Sequence, residues 1–177
     1  MYQFDIKLDD RDYYEFNKYY ILNTPAMKKR LMFMRLYLPG LLLLVWVIFA
    51  LSGYFYWEEL WPRGIHYILF SVLWIILIKP FYLMLLKFRI RNMRKKNDLF
   101  YTESSRIEFF EDNFIATDPD MKTDVKYSAV KRVGVSALKT IYIYVGSARA
   151  YIIPYRVFGS DAQYEEFLQF IKEKTNA

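Results

Sequence analysis

Residues 36–57 contain no charged side chain, and residues 64–86 contain one, Lys79. A helix of either length is roughly 33 Å long at about 1.5 Å per residue, enough to cross a hydrocarbon core about 30 Å thick. Inside lipid every backbone N–H and C=O must be satisfied within the segment, which leaves the helix as the only single-segment solution. The pattern therefore predicts a two-helix transmembrane hairpin with spans at about 36–57 and 64–86. Setting aside residues 31–86 leaves about 120 residues, enough for one modest soluble domain. The chain has no cysteine, so disulfides and thiolate metal sites are outside its chemistry. It opens Met1-Tyr2-Gln3-Phe4-Asp5, without the basic start of a cleavable signal peptide, so the first helix is expected to persist as an anchor.

The charges orient the hairpin. Lys28, Lys29, Arg30 and Arg35 precede the first span, and Lys87, Arg89, Arg91, Arg94, Lys95 and Lys96 follow the second. Between the spans stand Glu58, Glu59 and Arg63, and Trp61-Pro62-Arg63-Gly64 is expected to be the tight turn that reverses the chain. Ten basic residues on one side against one on the other place both termini in the cytoplasm. Tyr54, Phe55, Tyr56, Trp57 and Trp61 gather at the outer turn and Tyr37, Phe81 and Tyr82 toward the inner ends, the distribution expected of interfacial rings. The net charge is +6, but residues 1–26 and 97–177 each carry −2. The basic character belongs to the hairpin flanks, and no nucleic-acid partner is expected of the remainder.

Outside the hairpin the periodicity changes. Phe4, Ile6 and Leu8 alternate with Gln3, Asp5 and Lys7, a half-buried strand over residues 2–8. Asp9 and Asp10 offer an N-cap to an amphipathic helix over 10–22, in which Tyr13, Phe16 and Tyr20, with Asn17 beside them, fall at helical spacing. Asn23-Thr24-Pro25 interrupts it, and a second helical piece is expected at 26–35. Short Val-, Ile- and Tyr-rich runs at 105–111, 113–117, 123–127, 130–136, 140–145 and 149–153 read as antiparallel strands. Their turns fall at Glu111-Asp112-Asn113, at 117–120 and at Gly146-Ser147. Ser160 and Gln163 form a capping box, and Tyr164, Phe167, Leu168 and Ile171 share one face of the helix that follows. The expected class is α+β: residues 1–30 as a strand and amphipathic helix joining the C-terminal domain, 31–96 as the hairpin with basic flanks, and 97–177 as a small antiparallel β-rich domain with a C-terminal helix.

Several of these patterns carry a resemblance. Ile107-Glu108-Phe109 through Phe114, Tyr127-Ser128-Ala129-Val130-Lys131-Arg132-Val133, Ile141-Tyr142-Ile143-Tyr144, Tyr151-Ile152-Ile153-Pro154 with Arg156 and Phe158, and Tyr164-Glu165-Glu166-Phe167 together resemble the YcxB-like family of small bacterial membrane proteins. The N-terminal strand, helix and two spans also fit that family's layout. The resemblance implies a membrane hairpin with a pleckstrin-homology-like domain and a place in a bacterial inner or plasma membrane; it implies no biochemical activity. A phosphoinositide site in that fold commonly uses basic residues near the first hairpin, and the acidic Glu111-Asp112 tip here argues against one.

Few groups point to catalysis. His66 is the sole histidine, and it sits at the outer end of the second span. Glu111 and Asp112 are adjacent in a turn, where carboxylates serve turn geometry and solubility. No nucleotide-binding or zinc-protease motif is present. No catalytic, cofactor-binding or metal-binding residue is assigned, and an enzyme is not expected. Lys79 is the candidate intramembrane polar contact, at a depth of about 12 Å by its distance from Lys87 along a helix. An alternative ends the span near Ile78, with Lys79-Pro80 at the inner boundary and an amphipathic continuation. Lys87, Arg89, Arg91, Arg94, Lys95 and Lys96 are candidate contacts for anionic lipid. The leading functional expectation is a membrane-anchored, non-enzymatic interaction or regulatory module whose cytoplasmic domain binds a protein partner. The alternative is an accessory subunit of a transport or envelope complex engaged through the hairpin, and a third is a lipid-surface-binding protein.

The charge asymmetry yields a direct expectation. Topology reporters fused at residues 1 and 177 should be active only in the cytoplasm, and one inserted at residue 60 only outside; external activity at either terminus would refute the orientation.

Overall fold

The computed structural model describes residues 1–53, 56–95, 104–119, 121–146 and 149–175. Alternation at the start of the chain becomes strand β1 (Tyr2–Lys7), with Phe4 and Ile6 buried and Gln3, Asp5 and Lys7 exposed. Its partner is β2 (Ser104–Phe109), antiparallel, with Tyr2 opposite Phe109 and Phe4 opposite Ile107. Three helices lie between them in sequence: α1 (Asp10–Asn23), α2 (Pro25–Ser52) and α3 (Trp57–Lys95). Then follow β3 (Asn113–Thr117), β4 (Lys122–Lys126), β5 (Arg132–Val135), β6 (Ile141–Tyr144), β7 (Ala150–Ile153) and α4 (Asp161–Thr175). The strands form two antiparallel sheets, ordered β1-β2-β3-β4 and β5-β6-β7. The fold is α+β, and it divides into two compact units: Met1–Tyr20 with Ile90–Ala177, and Ile21–Arg89.

The first unit is organised by aromatic rings. α4 starts where Ser160 Oγ accepts the Gln163 N–H at 3.2 Å and Gln163 Oε1 accepts the Gly159 N–H at 2.7 Å. This capping arrangement aims Tyr164, Phe167, Leu168 and Ile171 into the sheets, and all four are buried. The Phe167 ring lies 5.0 Å from Phe4 and 4.9 Å from Phe109, both edge-on. Phe114, Ile141, Ile143, Ile153 and Phe158 complete the same core. The β2–β3 hairpin closes with Phe110 N–H on the Asn113 carbonyl at 2.9 Å, leaving Glu111 and Asp112 exposed at the tip.

The second unit holds two helices long and apolar enough, by length and composition, to cross a membrane. They run antiparallel in contact. Trp74 Nε1–H donates to the Met34 carbonyl at 3.1 Å. Gly64 is buried against Trp46, and a Cβ there would stand 2.9 Å from the indole nitrogen.

Two expectations about this unit need correction. The surface piece at 26–35 and the first span are one helix, α2, begun by Pro25 at its first position, where a missing N–H costs nothing. The expected turn at Trp61-Pro62-Arg63-Gly64 is helical and lies inside α3. α2 instead stops at Gly53, whose φ of 63° is the left-handed cap that glycine adopts without a Cβ penalty. Pro62 falls near the start of α3, where it removes one early hydrogen bond rather than breaking a ladder. Of the expected outer aromatic cluster, Tyr56 and Trp61 are exposed, the Trp57 side chain is not described, and Tyr54 and Phe55 lie outside the described residues.

Because Phe4 is 3% exposed and packs on Phe109, Phe158 and Phe167, Phe4→Ala should lower unfolding stability by about 3–5 kcal/mol. Denaturant titration of the full chain in detergent, read by near-ultraviolet dichroism, measures this. An unchanged midpoint would show that β1 is not part of the core.

Candidate functional site

A dense set of engaged polar groups in the first unit lies at the start of α1. Asp9 and Asp12 cap the helix reciprocally: Asp12 N–H donates to Asp9 Oδ1 at 2.8 Å, and Asp9 N–H to Asp12 Oδ2 at 3.0 Å. Arg156, from a 3-10 turn at Tyr155–Val157 after β7, closes on the same carboxylate. Its Nη1 donates to Asp12 Oδ1 at 2.7 Å, while Nη2 donates to Asp12 Oδ2 and to the Lys7 carbonyl. One guanidinium thus clasps the end of β1, the start of α1 and the turn after β7. Burial pushes the Asp12 carboxyl up, but the Arg156 fork and the Asp9 N–H outweigh it, and the group titrates below the usual carboxylate range.

Beyond this clasp α1 lies on the β5-β6-β7 sheet. Phe16, Tyr19 and Tyr20 pack on Tyr142, Tyr144 and Ile152. The Tyr19 and Phe16 rings stand 4.9 and 5.5 Å from Tyr142. Gly134 on β5 permits the approach, since a Cβ there would sit 2.8 Å from the Tyr19 hydroxyl. The Tyr142 and Tyr144 hydroxyls are buried beneath the helix with no hydrogen bond of normal geometry among the described residues, and burial raises both above the ordinary phenol range, against the smaller lowering influence of Ser136 on Tyr142 and Arg132 on Tyr144. The Arg132 guanidinium covers the Tyr144 ring at 4.1 Å. The helical reading of 10–22 placed Tyr13, Phe16 and Tyr20 on the apolar face and overlooked Tyr19. The cue was Gly134, a glycine in a Val-rich strand, which marks a close approach.

A second polar group fixes the β5–β6 turn to α4. Lys139 adopts φ 56°, a conformation its neighbours hold: Ser136 Oγ accepts the N–H groups of Leu138 and Thr140, each at 3.2 Å. Lys139 pairs with Asp161, which also accepts the Tyr155 hydroxyl at 2.9 Å. The Lys139 and Tyr155 hydrogen bonds hold Asp161 below the usual carboxylate range.

The residues singled out in the sequence do not converge. Glu111 and Asp112 stand at the β2–β3 tip, and the neighbouring Asn113 amide donates to Asp124 Oδ1 on β4 at 2.7 Å. His66 turns back on its own helix, with Nδ1 2.7 Å from the Pro62 carbonyl oxygen. Lys79 is exposed on α3, as are Lys87, Arg89, Arg91 and Lys95 further along the same helix. The Arg94 side chain and Lys96 lie outside the described residues. Among the described residues no three His, Asp or Glu side chains gather as metal ligands would. Between α2 and α3 runs an apolar groove of about 600 Å³, with Gly40, Leu43, Trp46, Gly64, Ile68 and Ser71 among its walls.

Residues 109–171 match the model of the YcxB-like protein family. The match begins at the last residue of β2, takes in β3 to β7 and ends within α4. No curated protein and no solved structure matches the chain.

The clasp makes a signed prediction. Asp12 titrates lower folded than unfolded, so its contribution is full above about pH 4, the unfolded value, and is lost as pH falls through the folded value. Asp12→Asn should cost about 2 kcal/mol at pH 7, the scale of a charge-assisted hydrogen bond, and should flatten the acid limb of stability against pH. Urea midpoints between pH 2 and 7 measure both. An acid limb identical to the native one would assign the acid sensitivity to other carboxylates.

Proposed function

We propose that this chain, YcxB-like over residues 109–171, is a two-span protein of a bacterial cell membrane whose cytoplasmic domain is a non-enzymatic interaction module for a protein partner. One observation carries this reading: a single folded unit is made from chain on both sides of the apolar hairpin, joined by the six paired positions of β1 and β2. Strands that pair must lie on the same side of a membrane, so the intervening segment crosses an even number of times. The lysines and arginines at the hairpin's open end favour the cytoplasm for that side. Seven strands among the described residues, ordered four and three and followed by a C-terminal helix, support a pleckstrin-homology-like assignment with the hairpin inserted between its first two strands.

Several of the domain's charged groups serve the fold rather than a reaction. Asp5 holds Arg106, Asp12 holds Arg156, Glu15 holds Lys18, and Asp161 holds Lys139. Each of these pairs ties structural elements together or braces a single helix. The second reading, an accessory subunit engaged through its spans, draws on the α2–α3 groove, where Gly40 and Gly64 leave room for another helix to approach.

Co-purification in mild detergent separates the two readings. A chain whose residues 31–86 are replaced by an unrelated two-span hairpin should retain the partner of the native chain. Loss of that partner, with the domain still resistant to proteolysis, would favour the hairpin-mediated reading.

A further inference from the structure

The register of the hairpin assigns Lys79 a level. Trp74 bonds to Met34, and the helices are antiparallel. Five residues beyond Trp74 is Lys79, and five before Met34 is Lys29, so the two stand side by side. The contact of Trp46 with Gly64 gives a register within about 3 Å of this, placing Lys79 level with Leu31. Lys28, Lys29 and Arg30 on α2 and Lys79 on α3, all exposed, therefore occupy one layer.

From that layer α3 runs back to Glu59 over about 30 Å, the thickness of a hydrocarbon core. Glu58 and Glu59 are exposed at that far end. Arg63 and Arg35 fall about 6 and 8 Å inside the two limits, within the reach of a snorkelling arginine. Moving the inner limit out to Lys87 instead would draw Lys28, Lys29, Arg30 and Lys79 together into hydrocarbon, the costlier arrangement.

We propose that Lys79 joins Lys28, Lys29 and Arg30 in a cation layer that binds the phosphates of anionic lipid headgroups at the cytoplasmic boundary. The Lys87 and Arg89 stretch of α3 then stands off the surface. This rests on the two-span reading of the hairpin. Lys87 lies about 12 Å past the layer along α3, and at physiological salt charges are screened beyond about 8 Å, so the stem's cations contribute little to lipid binding. The lipid contact inferred for Lys87 to Lys96 in the sequence is thereby reassigned to the layer. So is the intramembrane role considered for Lys79.

The chain has no native cysteine, so single substitutions carry depth probes cleanly. Lys29→Cys, Leu73→Cys, Lys79→Cys and Lys87→Cys, each in the full chain, are spin-labelled and placed in vesicles of phosphatidylcholine with phosphatidylglycerol. Power saturation with oxygen and a nickel chelate then reads depth. Positions 29 and 79 should report one headgroup depth, position 73 hydrocarbon, and position 87 water. Position 79 in hydrocarbon with position 87 at headgroup depth would overturn the layer and leave the two-span reading standing. Water exposure at position 73 would overturn both. In the same vesicles, and in a chain whose Trp46, Trp57 and Trp61 are replaced by Phe so that only Trp74 fluoresces, quenching by brominated phosphatidylglycerol relative to brominated phosphatidylcholine reports lipid preference. Lys29→Gln with Lys79→Gln should reduce that preference about fivefold per cation removed. Lys87→Gln with Arg89→Gln should leave it unchanged. The reverse pattern would place the lipid contact on the stem.

Discussion

The backbone pairing of β1 with β2 is the constraint on which the rest of this protein depends. A six-residue strand with an apolar face cannot stand alone, because its unpaired N–H and C=O groups and its buried side chains both require a neighbour. The neighbour lies beyond three helices in the chain, and the register between them is fixed by Phe4 and Ile6 on the core side and by the Asp5–Arg106 ion pair on the other. Such a contact is expensive in loop-closure entropy when the loop is flexible. Here α2 and α3 pair antiparallel, so the chain leaves and returns at the same end of the hairpin. The apolar pair thus shortens the loop that the pairing of β1 with β2 must close.

The same logic explains why α1 is anchored as firmly as it is. It leaves β1 after two residues, Leu8 and Asp9, and is followed one residue after its end by Pro25 of α2. The Asp9–Asp12 cap and the Arg156 fork settle where it begins, and Phe16, Tyr19 and Tyr20 settle which face of the β5-β6-β7 sheet it covers. That sheet is consequently buried on both sides. Ile141 and Ile143 face the main core, while Tyr142 and Tyr144 lie beneath α1, which accounts for a strand in which all four residues are inaccessible.

Much of this was legible in the residues. The alternation of Phe4 and Ile6, the Ser160–Gln163 cap and the Tyr164, Phe167, Leu168, Ile171 face are strong local patterns, and local chemistry decides them. α2 ends earlier than the turn-like composition of Trp61-Pro62-Arg63-Gly64 suggests, because the single Gly53 carries the stronger geometric signal. The Asp12–Arg156 clasp is not legible, and Tyr19 only through the close approach that Gly134 marks, because both depend on which sheet face α1 meets, a tertiary choice that periodicity does not encode. The level of Lys79 was open for a similar reason. Sequence distance from Lys87 measures depth along one helix, whereas the cations that share its layer lie on the other, and only the Trp74–Met34 register connects them.

Amide hydrogen exchange on the full chain in detergent tests the split domain most directly, because protection reports whether each strand opens alone or with the whole. If β1 closes the domain across the hairpin, the bonded amides of β1 will exchange together with those of β2 and β3, at the rate set by global unfolding of the unit. Fast exchange throughout β1, with β2 to β4 still protected, would contradict it.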